Sequence, residues 1–161
     1  MMAEKTLAMK VLEGQKVAFD TAVYPTTMRD AEEIADLLGA PAASVFKTLV
    51  VQPPAPTGRF SKPLLVIIPA NKQLDLKKLA KVVGAKKVKM VSHNEAEELT
   101  GLQVGGISPL ALLNKGFLMY IDQSVRDQNQ IYISSGQRGT QIILAGKDLL
   151  RLTKAKPVDV T

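Results

Sequence analysis

Val45-Phe46-Lys47-Thr48-Leu49-Val50-Val51 is a short apolar run with one cation inside it. Its β-branched and aromatic content and its length predict a strand. A second run, Leu64 to Ile68, is apolar throughout, as expected of a strand covered on both faces. Between them, Pro53-Pro54-Ala55-Pro56-Thr57-Gly58 spells a turn, so the two runs are expected to pair as a hairpin with a longer loop. Working outward, Val17, Phe19, Thr21 and Val23 alternate as a half-buried strand that ends at Tyr24-Pro25. Further strands are expected over Phe117 to Ile121, Gln130 to Ser134 and Thr140 to Leu144, the last two joined by Ser135-Gly136-Gln137-Arg138-Gly139.

Helical spacing fills the intervals. Leu7, Ala8, Val11 and Leu12 precede Gly14, a C-terminal stop. Thr27 with Asp30 resembles a capping box before the stripe Ala31, Ile34, Ala35 and Leu38, and Gly39 with Pro41 closes that helix. Asp75 caps a helix whose buried stripe is Leu76, Leu79, Ala80 and Val83, ended by Gly84. Lys86, Lys87 and Lys89 are expected to line a short strand ending near Val91. Ser92 and Glu95 open another helix that stops at Gly101, and a last one covers roughly Lys147 to Leu152. Helices and strands mix without strict βαβ alternation, so a single α+β domain around a mixed sheet is expected over residues 1–161.

Composition limits the chemistry. The chain has 161 residues, 46% hydrophobic and 22% charged, which suits one globular domain with a sizeable core. No apolar run is long enough to cross a bilayer, and Met1-Met2-Ala3-Glu4-Lys5 lacks a signal-peptide pattern, so a cytoplasmic protein is expected. There is no cysteine, which removes thiolate metal sites and a cysteine nucleophile. The single histidine, His93, falls in the first turn of an expected helix, where a capping or exposed role outweighs catalysis. No metal site and no cofactor are expected. The net charge is +6, and Lys72 to Lys89 holds seven lysines against one acid, Asp75. That segment is either solvated surface or a face for phosphates. With 4% aromatic residues and no tryptophan, stacking on unpaired bases is poorly supplied, so contact with the backbone of a structured RNA suits the composition better.

Three features concern a small site. Lys47 interrupts an apolar strand, and an ammonium there either snorkels past an edge or points into a polar pocket that holds an anion. Val104-Gly105-Gly106-Ile107-Ser108-Pro109-Leu110 sets two glycines just before a proline; it is either a tight turn or a stiff pocket wall of bare amides. Ser135 to Gly139 is either a hairpin turn or an anion nest beside the guanidinium of Arg138. Tyr24, at a strand end, belongs to the core or lines a pocket.

Taken together, Ser44 to Val50, Gln73-Leu74-Asp75-Leu76-Lys77-Lys78, Gly84-Ala85-Lys86-Lys87-Val88, Val104 to Leu110 and Gly136-Gln137-Arg138-Gly139 resemble the YbaK/EbsC family. Its members are free-standing relatives of the editing domain inserted in bacterial prolyl-tRNA synthetases, and the likeness spans nearly the whole chain. The resemblance implies an α+β fold with a central mixed, partly barrel-like sheet flanked by helices. It also implies a trans-acting aminoacyl-tRNA deacylase, closest to the branch that removes cysteine from mischarged tRNA(Pro), with Cys-tRNA(Cys) as a second candidate substrate and with prolyl-tRNA synthetase and tRNA as partners. Lys47 then matches the family's essential lysine and Thr48 its neighbour. Gly105 leads the family's Gly-x-x-x-Pro loop, so Gly106, Ile107, Ser108 and Pro109 fall beside the substrate. Tyr24 and Ser134 join the substrate contacts on the same resemblance, the anion-nest alternative adds Arg138, and the phosphate-face alternative sets Lys77, Lys78, Lys81, Lys86 and Lys87 against tRNA. The chain departs from the pattern after Tyr24, where Pro25-Thr26-Thr27 stands in place of a histidine with an acidic neighbour.

What the chain lacks fits the implied mechanism. An aminoacyl ester is already activated, and in YbaK-like enzymes the substrate's own thiol attacks it and leaves as a cyclic thiolactone. The protein's share is positioning and electrostatics, with Lys47 and Gly105 as its catalytic residues. The alternatives are hydrolysis of Ala-tRNA(Pro), or a module that binds tRNA or synthetase without catalysis.

Overall fold

The computed structural model describes residues 5–52, 58 and 61–161. Met1 to Glu4 and the expected turn residues Pro53 to Thr57 lie outside the described residues. In chain order the elements are α1 (Leu7–Gly14), β1 (Asp20–Val23), α2 (Ala31–Leu38), β2 (Phe46–Val51), β3 (Leu64–Pro69), α3 (Leu76–Val83), α4 (His93–Thr100), β4 (Leu118–Asp122), β5 (Gln130–Ser134), β6 (Thr140–Ala145), α5 (Gly146–Thr153) and β7 (Lys156–Val158). Short 3₁₀ turns cover Ala42–Ser44, Leu110–Lys115 and Gln123–Asp127.

The strands form two sheets, β1-β6-β5 and β2-β3-β4-β7. The expected hairpin is present: β2 pairs with β3 antiparallel, with Lys47 opposite Ile68. Strand β4 joins parallel to β3 because α3 and α4 carry the chain back to the starting end, as a parallel connection requires. One parallel bridge, Val45 to Tyr132, ties the sheets together. Strands β1 and β7 each pair on one side only, so pairing gives two bridged sheets rather than a closed barrel.

Strand β3 is buried along its whole length, which explains its unbroken apolar sequence. Leu65 and Ile67 face the larger core with Phe46, Val50, Ile121, Ile131 and Ile133. Leu64, Val66 and Ile68 face a second core beneath α3, with Leu79, Ala80 and Val83. Each such large aliphatic chain contributes about 1.5–3 kcal/mol of transfer free energy.

Helix starts follow side-chain caps. Asp75 accepts from the Lys77 and Lys78 amides at 3.0 and 3.1 Å, and Ser92 accepts from the Glu95 amide at 3.2 Å. At α2 the cap is Asp30, which accepts from Glu32 N at 2.9 Å, not the Thr27 expected from spacing. Asp30 adjoins the first helical residue, so its carboxylate meets the free amide of the first turn directly. The strand expected after Lys86 shrinks to one bridge between Met90 and Val51. Only Val88 and Val91 there are buried among exposed lysines, too little apolar surface to hold a longer pairing. Strand β7 has no signature in the sequence; three residues containing Pro157 carry no strand periodicity. Among the described residues no helix is long and apolar enough to cross a membrane.

Candidate active site

At the bridge of Val45 with Tyr132, β2 and β5 run side by side in the same direction; past it no further bridge joins them among the described residues. Two residues beyond the bridge stand Lys47 on β2 and Ser134 on β5. Where the bridging ends lies a cleft of about 430 Å³ whose walls include Lys47, Thr48, Gly105, Ile107, Ser134 and Gln141. Lys47 and Thr48 are half-buried. The Lys47 ammonium donates to the carbonyl of Ala70 at 3.5 Å, a long contact, and has no carboxylate partner among the described residues. Lys47 thus stands in the cleft wall without a carboxylate to neutralise it.

The loop before Pro109 reaches the cleft through Val104, Gly105 and Ile107. Gly105 has φ +89°, a left-handed conformation natural to glycine, and its amide has no acceptor among the described residues. Gly106 plays a different part. Its N–H donates to Gln103 O at 2.7 Å, and a Cβ on it would sit 3.0 Å from Arg138 N and 3.1 Å from Gln137 C. Glycine is needed there because two backbones touch. Ser108 and Pro109 are buried behind the loop and do not line the cleft.

Three side chains hold the loop. Tyr24, 4% exposed, donates from its hydroxyl to Gly105 O at 3.4 Å. Arg138 donates from Nε to Val104 O at 2.7 Å. Glu97 accepts from Val104 N–H at 2.9 Å through Oε2, with Arg138 Nη2 3.8 Å from the same oxygen. Tyr24 and Arg138, expected as substrate contacts, thus reach the loop and are absent from the cleft wall. One donor of each, the Tyr24 hydroxyl and Arg138 Nε, is engaged by a backbone carbonyl of the loop.

The turn after β5 settles as a hairpin turn. Gly136 N donates to Ser134 Oγ at 3.2 Å and Gln137 N to Ser135 Oγ at 3.3 Å, so two of the loop's amides are engaged within the turn, while those of Arg138 and Gly139 have no acceptor among the described residues. Ser134 Oγ still has its own proton to donate into the cleft.

Sequence patterning missed several cleft residues: Arg29 and Asp30 at the start of α2, Ile34, His93 and Gln141. Only the strand register, which puts Gln141 opposite Ser134, marks the last of these. Of the expected tRNA-facing lysines, Lys77, Lys78, Lys81, Lys86 and Lys87 are all exposed. Lys78 is tied to Asp159 Oδ1 at 3.0 Å and Thr161 O at 2.9 Å; the other four have no ion pair among the described residues. Nor do the described residues contain a cluster of three acidic or histidine side chains fit to hold a metal ion.

The model of the aminoacyl-tRNA editing domain matches residues 26–152. Over 160 residues the chain is 36% identical to an Enterococcus faecalis protein provisionally named Cys-tRNA(Pro)/Cys-tRNA(Cys) deacylase EbsC, covering 98% of this chain and 94% of that one. It is 23% identical over 116 residues to proline–tRNA ligase of Staphylococcus aureus, covering 72% of this chain but 19% of the ligase. A crystal structure described provisionally as a trans-editing enzyme for prolyl-tRNA synthetase shares the fold, with TM-score 0.83, 23% identity and coverage of 100% of this chain and 99% of that one.

Proposed function

The chain belongs to the aminoacyl-tRNA editing domain family, and from that premise we propose that it deacylates mischarged Cys-tRNA(Pro) in trans. One observation carries this reading: a cationic Lys47 and an amide without an acceptor, Gly105 N–H, share one cleft. The chain has no cysteine, and among the described residues neither Thr48 nor Ser134 is hydrogen-bonded to His93, the one histidine in the cleft wall, so neither hydroxyl has a base beside it to activate it. The substrate supplies the nucleophile instead.

The substrate thiol sulfur attacks the ester carbonyl carbon, forming a C–S bond. The C–O bond to the terminal ribose then breaks, and the thiol proton leaves with the ribose oxygen. Cyclic cysteine thiolactone and tRNA with a free terminal hydroxyl result, without an added oxidant or reductant. Lys47 draws in the terminal phosphate and orients the aminoacyl end, Thr48 and Ser134 bound the amino-acid pocket, and Gly105 N–H meets the developing oxyanion. Lys77, Lys81, Lys86 and Lys87 attract the tRNA backbone, and prolyl-tRNA synthetase supplies tRNA selectivity.

The test is a deacylation panel of Cys-, Ala- and Pro-tRNA(Pro) with product analysis, with and without prolyl-tRNA synthetase. Fast release from Cys-tRNA(Pro) as thiolactone is expected. Equal cleavage of Ala-tRNA(Pro), which cannot cyclise, would replace this mechanism with hydrolysis.

A further inference from the structure

The side-chain amide of Gln141 has no task in the mechanism above. It stands on β6 directly opposite Ser134, on the same face of the sheet, and lines the cleft with Lys47, Gly105 and Ser134. The residue is 5% exposed, and its Oε1 is buried without a hydrogen bond. Its nitrogen has no partner among the described residues either. Leaving a buried carboxamide unpaired costs about 1–3 kcal/mol, whereas an apolar side chain of the same size carries no such cost.

The oxyanion site has a matching gap. Two adjacent glycines suggest two amides for the aminoacyl carbonyl, but Gly106 N–H is engaged by Gln103 O. Only Gly105 N–H remains from that pair. The orientation of the Gln141 amide is informative here: with Oε1 inward, one acceptor is orphaned, while the reversed amide would bury two N–H donors. The less costly arrangement turns the nitrogen toward the cleft.

We propose that Gln141 donates Nε2–H to the carbonyl oxygen of the aminoacyl ester and serves, with Gly105 N–H, as the second donor of the oxyanion site. This rests on the deacylase reading. The amide takes no proton and forms no bond; it stabilises charge that appears only as the carbonyl carbon becomes tetrahedral. Every aminoacyl ester has that carbonyl, so Gln141 acts on rate and not on the choice of amino acid.

The experiment compares Gln141→Leu, Gln141→Met and Lys47→Ala with the unaltered protein, in deacylation kinetics on Cys-tRNA(Pro) and Ala-tRNA(Pro) and in thermal melts. Gln141→Leu is expected to lower kcat about 100- to 1000-fold with little change in KM, in equal proportion for any substrate that the unaltered protein cleaves, while Tm holds or rises. Should Gln141→Leu melt early, Gln141→Met is judged by the same criteria. A kcat within about threefold of the unaltered protein, or a loss confined to KM, overturns the role of Gln141 while Lys47→Ala remains inactive. Failure of the unaltered protein to release amino acid from either tRNA overturns the deacylase reading itself.

Discussion

Arg138 donates from Nε to the carbonyl oxygen of Val104 at 2.7 Å, joining positions 34 residues apart. Glu97 takes the N–H of the same residue at 2.9 Å, so Val104 is gripped at both its amide and its carbonyl. The next residue is Gly105, which lines the cleft and whose amide has no acceptor among the described residues. Arg138 and Glu97 therefore fix the backbone that leads into the proposed oxyanion donor.

Arg138→Ala should lower kcat by about 100-fold, the effect of roughly a 1 Å misplacement of a catalytic group. Arg138→Lys should not restore the rate, because a lysine has no planar fork to reach both Val104 O and Glu97. Full activity of the lysine variant in deacylation assays would show that charge alone suffices.

Gly105→Ala and Gly106→Ala should fail for different reasons. At Gly106 the new Cβ meets backbone at 3.0 and 3.1 Å, forcing two loops apart, with an expected loss of about 1–3 kcal/mol in denaturant titration. At Gly105 the Cβ would meet Arg29 and Arg138 side chains at ordinary distances of 3.5 and 3.6 Å. The cost there comes from φ +89°, about 1–2 kcal/mol. Enlarging Gly105 thus acts through the direction of its amide more than by filling the cleft.

Lys47→Ala should retain the fold, since the lysine makes only one long contact, to Ala70 O. Its deacylation rate should drop by about 100- to 1000-fold, the scale of losing one transition-state donor. Near-normal turnover by the folded variant is the result that rules out its catalytic role.

Lys77→Glu with Lys81→Glu should weaken tRNA binding and flatten its salt dependence, by about one unit of slope for each phosphate no longer neutralised. Lys78→Ala should act differently, releasing Asp159 and the carbonyl of Thr161 near the chain end. That ion pair is exposed on both sides and contributes about 0–1 kcal/mol. Filter binding across a salt series, alongside melts, separates the two effects.

Much of the fold is legible along the chain. The β2–β3 hairpin, the α3 stripe and its Asp75 cap, and the helix stop at Gly101 are local patterns whose periods and caps are set by neighbouring residues. Lys47 is legible as well, because a cation inside an apolar strand demands an explanation wherever that strand lies.

The composition of the cleft is decided elsewhere. Gln141 is a glutamine in an ordinary strand until the β5–β6 register puts it opposite Ser134. His93 and Arg29 become cleft residues only once two helix starts meet the opening. Sequence alone determined most of the strands and helices, with β7 and the expected strand after Lys86 as exceptions, and that one strand carries a cation needing a polar partner. The tertiary structure alone decided that the bridging of β2 and β5 stops at Val45 and Tyr132, that Gly106 supports its loop while Gly105 keeps a free amide, and that Tyr24 and Arg138 grip backbone. The physical reason is range: periodicity and capping act over a few neighbouring residues, whereas a cleft is the space left where distant segments stop pairing.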